Sequence, residues 1–157
     1  MNQVEMLTVD TSRFGPIQVA ADTVLKFPKG LVGLEQLTRF ALIEGSGPFQ
    51  WLQSLDDPEI TFVVLDSEEV ISDYEINPAD EDLAVVSAAD EDASLVALLV
   101  VTIPRDGEEP ISANLMAPLL VNVASRTAVQ AVLPDRYPVR HPVVAREDAP
   151  HQMAKAG

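Results

Sequence analysis

The chain has 157 residues, is 47% hydrophobic, contains no cysteine and carries a formal net charge of −15. That length suits one domain, and that apolar content builds a core without covalent staples. The lack of thiols excludes disulfides, thiolate metal sites and cysteine nucleophiles, and it fits a reducing, cytoplasmic setting. The charge is unevenly placed. No Lys or Arg occurs from Ala41 to Pro104, and the fifteen acids of that window account for the whole net charge, the flanks holding ten acids against ten bases. A field of this sign repels phosphate backbones and attracts cationic proteins. Direct nucleic-acid binding is therefore disfavoured. A basic protein partner competes with the plainer reading that the acids only keep the chain soluble.

Taken in chain order, the N-terminal MNQVEMLTVDTSRF shows no basic stretch leading into an apolar one, so no signal peptide is expected. EMLTV (5–9) and IQVAA (17–21) flank a turn around 11–16, and TVLKF (23–27) follows. The next segment, PKGLVG (28–33), is a turn in which Gly30 and Gly33 supply conformational freedom; its spacing fits neither nucleotide-binding glycine motif. GLEQLTRF (33–40) leaves room for one helical turn before the strand RFALIE (39–44). FQWLQSL (49–55), the acidic turn DDPE (56–59) and ITFVVLD (60–66) read as a hairpin. Alternation puts Trp51, the sole tryptophan, on one face with Phe49, as core filler or as an interface anchor.

Beyond that hairpin, DYEINPADEDL (73–83) holds at most one helical turn, cut by Pro78. LAVVSA (83–88) and SLVALLVVTI (94–103) are expected as two strands joined by ADEDA (89–93). The triplets Asp80-Glu81-Asp82 and Asp90-Glu91-Asp92 would mark the start and the turn of that hairpin. NLMAPLLVNV (114–123) and AVQAVL (128–133) complete the set. Short β-branched runs punctuated every eight to twelve residues predict an all-β fold, a small antiparallel β-barrel-like domain with only short helical turns. SLVALLVVTI looks buried on both faces, as at the centre of such a body. One domain over 1–144 and a flexible tail over 145–157 are expected. The longest apolar runs, at 95–103 and 115–121, fall short of the roughly 20 residues that span a bilayer.

Chemistry is harder to find. His141 and His151 each stand beside proline in the C-terminal part, and no paired histidine spacing exists for a transition metal. The acidic triplets suggest calcium, but an EF-hand loop needs a glycine at its turn and none lies between Pro48 and Asp106. No serine sits in a nucleophile elbow, and carboxylates are too many for one pair to stand out as acid and base. No cofactor, metal or catalytic residue is predicted. A carboxylate-based metal-dependent hydrolase and a general acidic decoy for basic proteins remain as alternatives to a specific binding protein. Tyr74, an aromatic set among acids in SDYEIN, is the better interface candidate.

Several motifs, in this order, carry a resemblance: FPKGLVGLE, PFQWLQSLDDPEITFVVLD, SDYEI, ISANLMAPLLVN, VQAVL and YPVRHPV. Together, over roughly residues 5 to 143, they resemble the flagellar assembly factor FliW family. The resemblance implies a β-barrel-like fold without catalysis. It also implies two protein partners: CsrA, a small basic dimer that represses translation by covering messenger RNA sites including flagellin's, and flagellin itself. Secretion of flagellin would free the protein to sequester CsrA and relieve repression, a partner switch governed by mass action. No motif of the family transfers contact residues position by position. The acidic window therefore suggests Asp56, Asp57, Glu59, Glu68, Glu69, Asp73 and Tyr74 for CsrA, attracting its cationic face and repelling phosphates.

ISANLMAPLLVN (111–122) is expected as a strand broken at Pro118, which cannot donate to a ladder and so belongs at an edge or bulge. Asn114 and Asn122 are expected to satisfy backbone groups freed by that irregularity. Leu115, Met116, Leu119 and Val121 read mainly as core. Alternatively the broken edge, through Asn114, Met116 and Pro118, receives flagellin by strand addition.

Overall fold

The computed structural model describes residues 5–87, 95–104, 111–133 and 137–143. The tail expected at 145–157, His151 and the triplet Asp90-Glu91-Asp92 lie outside them. Among the described residues the β-branched and aromatic runs form eleven short strands: β1 (Met6–Val9), β2 (Ile17–Ala20), β3 (Val24–Lys26), β4 (Arg39–Glu44), β5 (Phe49–Ser54), β6 (Thr61–Asp66), β7 (Leu95–Thr102), β8 (Ser112–Ala113), β9 (Leu119–Asn122), β10 (Ala128–Gln130) and β11 (His141–Pro142). One α-helix, α1 (Asp80–Ser87), accompanies them among the described residues. The β1–β2 hairpin is a small sheet of its own. The others form one sheet in the order β10-β9-β7-β6-β5-β4-β3, with β8 beside β7 and β11 beside β8. Every named pairing is antiparallel.

The expected class, all-β and antiparallel, holds, but the sheet is not closed into a barrel. Its end strands meet at a single parallel bridge between Lys26 and Thr127, where the Lys26 N–H donates to the Arg126 carbonyl at 2.9 Å. Arg126 takes a left-handed backbone, φ 61°, at that point.

Successive residues of the central strands enter different cores. Phe40, Leu52, Val64, Leu98, Leu119, Val121 and Ala128 pack together inside the curl of the sheet. Their chain neighbours point outward, as the period of two requires. Leu65 and Leu99 join Phe49, Val101 and Leu115 in a second cluster. Leu120 and Val129 join Val86 of the helix in a third. Ala41 lies under Val9 and Val19 of the β1–β2 hairpin in a fourth. Both faces are buried because the outer one is covered in turn by the hairpin, by residues 70–76 and by α1. Strands so enclosed lose polar alternation, which explains runs such as Leu95–Thr102.

Two expectations are corrected. LAVVSA is not a strand: residues 80–87 form α1, so the triplet Asp80-Glu81-Asp82 opens a helix instead of a hairpin. Acids in a first turn complement the unpaired N–H groups there, and the helix begins two residues after Pro78. Its apolar residues Val85 and Val86 pack on Leu120, Val129 and Leu133. GLEQLTRF forms no helical turn. Leu31 and Leu34 bridge each other in a tight loop instead. Gly30 turns the chain into that loop with φ 67°, and a Cβ there would lie 2.4 Å from the Glu35 carbonyl oxygen. Only glycine fits such an approach.

Candidate protein-interaction surface

From the end of β6 the chain leaves the sheet and runs to α1 over the outer face. Along this strap Val70, Ile71, Tyr74 and Ile76 turn inward against the second and third clusters. Glu68, Glu69, Asp73, Glu75, Asp80 and Glu81 stand exposed between and beyond them. The alternation of apolar anchor and carboxylate therefore has a structural cause. The apolar side chains fix the strap, and the acids form its outward surface without a base among them. Asp66 accepts from the Glu68 N–H at 2.9 Å, which starts the short 3-10 turn at Ser67–Glu69.

Two aromatic contacts lock the strap. The Tyr74 hydroxyl donates to the Leu115 carbonyl, and its ring meets Tyr137 edge-on at 4.9 Å. The Tyr137 hydroxyl in turn accepts from the Glu75 N–H at 3.0 Å. Burial, with Tyr137 adding to it, pushes the Tyr74 phenol well above its ordinary value. At the far end Asn122 Nδ2 donates to the Val86 carbonyl at 2.6 Å, tying α1 to β9. Lys29 reaches Asp82 at 3.1 Å from the opposite side.

The residues singled out from sequence do not form one patch. Asp56, Asp57 and Glu59 occupy the β5–β6 turn, whereas Glu68, Glu69, Asp73 and Tyr74 follow the other end of β6. A six-residue strand of about 17 Å separates the groups. Asp56 is already engaged: it accepts from the Thr38 N–H at 3.1 Å, the Arg39 N–H at 3.3 Å and Arg39 Nη2 at 2.9 Å. Burial works to raise its pKa, but Arg39 and these N–H groups outweigh it and hold the carboxyl below its ordinary value. Asp57 accepts from the Glu59 N–H at 3.0 Å, and Ser54 Oγ accepts from the Asp56 and Asp57 N–H groups. That turn is built by its own acids. The strap carries the freer carboxylates, and Tyr74 points its hydroxyl inward.

Asn114 and Asn122 do what their placement suggested. Asn114 Oδ1 accepts from the Met116 and Ala117 N–H groups, and Asn122 Oδ1 from those of Ala124 and Ser125. Pro118 is fully buried, its carbonyl taking the Ala131 N–H at 3.0 Å; the Met116 carbonyl takes that of Leu133 at 2.7 Å. The backbone of 116–118 is thus covered by the continuation of β10, and the sheet's edge lies one strand further out. Met116 keeps a half-buried side chain.

Sequence reading missed two features. Asp80 and Glu81 extend the acidic surface because α1 continues the strap, a consequence of the helix that the apolar run concealed. Arg13, Phe14 and Trp51 also converge: the Arg13 guanidinium lies 4.6 Å from the Trp51 ring centroid, and Phe14 meets that ring edge-on at 5.5 Å. Residues 38 positions apart carried no shared signal. Among the described residues no group of three or more His, Asp or Glu is arranged to hold a metal ion, and no helix is long and apolar enough to cross a membrane.

A small antiparallel β protein whose outward chemistry is a strap of carboxylates is thereby defined. Residues 8–143 match the family described as FliW protein. The flagellar assembly factor FliW of Caldanaerobacter subterraneus subsp. tengcongensis is 36% identical over 142 residues, covering 88% of this chain and 93% of that protein. The one from Natranaerobius thermophilus is 32% identical over 140 residues, covering 87% and 92%. A crystal structure of the flagellar assembly factor FliW superposes with a TM-score of 0.75 at 24% identity, covering 90% of this chain and 99% of that one. The chain belongs to the FliW family of flagellar assembly factors.

Proposed function

We propose that this protein is a non-catalytic, cytoplasmic regulator that binds the basic repressor CsrA through its carboxylates and binds flagellin as a second partner. One observation carries the first half. The strap presents Glu68, Glu69, Asp73, Glu75, Asp80 and Glu81 to solvent on a backbone pinned by Tyr74, so the charge is fixed in space. Preorganised charge steers a cationic partner and keeps phosphates off it. Asp57 and Glu59 form a separate acidic group at the β5–β6 turn, the other end of β6, with Asp56 anchoring that turn. Flagellin docking is proposed at Met116 beside Asn114; Pro118, expected at the same edge, is fully buried and is withdrawn as a contact. Strand addition there would have to displace Ala131 and Leu133, so the half-buried Met116 side chain is the contact that stands ready.

A pull-down from native cytosol at two salt concentrations tests the reading. CsrA and flagellin are both retained, and the CsrA band fades more with salt. Retention of unrelated basic proteins as strongly as CsrA would instead make the protein a general acidic decoy. Titration with Ca²⁺, Mg²⁺ and Mn²⁺ tests the hydrolase alternative, which requires saturable metal binding.

A further inference from the structure

We infer that the cluster of Arg13, Phe14 and Trp51 is a second docking surface, opposite in sign to the strap, that takes an acidic segment of a protein partner. It does not depend on the function proposed above. The three side chains are presented on rigid backbone. Thr11, itself buried, donates its hydroxyl to the Gly15 carbonyl at 2.7 Å and accepts the Phe14 N–H at 2.7 Å. The Ser12 N–H donates to the Pro58 carbonyl at 2.9 Å, fastening the hairpin tip to the β5–β6 turn. Trp51 lies in β5 between Ile43 and Val63 of the adjoining strands. Its indole rests on Gly45, where a Cβ would come within 3.1 Å of Nε1 and 3.0 Å of the Phe49 carbonyl oxygen. Phe14 is 40% exposed and Arg13 is exposed.

The charge pattern chooses the occupant. The ion pairs among the described residues are Lys29–Asp82 and Arg39–Asp56, so Arg13 takes part in none there. Asp56, in the turn to which the hairpin tip is fastened, is paired with Arg39. A guanidinium held over an indole ring and outside any ion pair is suited to two-point capture of a carboxylate. Trp and Arg are also the residue types that dominate binding hot spots. The fitting ligand therefore carries an Asp, Glu or terminal carboxylate beside an apolar side chain that covers Phe14 and Trp51.

Panning a random-peptide display library on the folded protein tests this. The wild type selects a class rich in Asp or Glu next to Leu, Ile or Phe, besides basic peptides drawn to the strap. A synthetic peptide of the first class shifts the emission of Trp51, the sole tryptophan, in a saturable way. Arg13→Gln weakens that peptide by about tenfold or more, the loss of a charge-assisted contact, while basic peptides bind as before. Arg13→Lys keeps part of the affinity, and Phe14→Ser loses the apolar preference. All three substitutions lie on an exposed turn, and a thermal melt verifies folding. Absence of an acidic class, or its persistence in Arg13→Gln, overturns the proposal.

Discussion

The hydroxyl of Tyr74 donates to the main-chain carbonyl of Leu115, joining the acidic strap to the segment that leads into β9. Leu115 is almost wholly buried, so its carbonyl has little access to water once the phenol is removed. Tyr74→Phe keeps the ring packing and orphans that carbonyl, at a cost of about 1–3 kcal/mol. Urea unfolding measures the loss, and hydrogen exchange along 70–76 shows the strap opening before the sheet.

Alkaline pH makes the same point without mutation. The Tyr74 phenol is raised in the folded state, by burial first and Tyr137 second, so folding favours its neutral form. Its contribution is complete below the unfolded value of about 10 and declines as pH rises above it. Stability measured between pH 9 and pH 11, ranges of about that span, falls more steeply for the wild type than for Tyr74→Phe.

Acid acts through Asp56. Its folded carboxyl is held below the ordinary value, so its contribution is present above about pH 4 and is lost as pH falls further. Asp56→Ala removes the acceptor for Thr38 and Arg39 and costs about 1 kcal/mol, a figure discounted because the pair is partly solvated. The acid limb of the stability profile flattens in that variant.

Asn122 is buried and serves three partners: the Val86 carbonyl and the Ala124 and Ser125 N–H groups. Asn122→Ala leaves those groups unpaired and destabilises by about 2–4 kcal/mol, measured by denaturant titration. Loss of α1 ellipticity accompanies it, since this amide ties the helix to β9.

Much of this architecture was legible before any coordinates. RFALIE, FQWLQSL, ITFVVLD and SLVALLVVTI became β4, β5, β6 and β7 because β-branched runs bounded by turn residues have few other outcomes. The two asparagines of ISANLMAPLLVN were read as backbone caps for the same local reason. LAVVSA failed because its β-branched valines suit a strand, while the acids preceding it and the apolar bed of Leu120 and Val129 favour a helix, and only the second influence is tertiary. The acidic window was visible as composition. Its division across the two ends of β6, and the consumption of Asp56 by Arg39, depend on pairings between distant residues. The alternative of a free edge at Pro118 stayed open because a sequence does not show that Ala131 will reach its carbonyl.

The flagellin half of the proposal turns on Met116. Met116→Glu places a charge on a half-buried side chain and is expected to abolish flagellin binding while the thermal transition stays cooperative. A variant that fails to fold would assign Met116 to the core instead.

The central claim is that the strap's carboxylates form the surface for CsrA. Isothermal titration of CsrA against the wild type and the triple variant Glu68→Lys, Glu69→Lys, Asp73→Lys, at two salt concentrations, tests it most directly. The account predicts an affinity lower by about tenfold or more in the variant, together with a weaker salt dependence. Equal affinity and an unchanged salt dependence would contradict it.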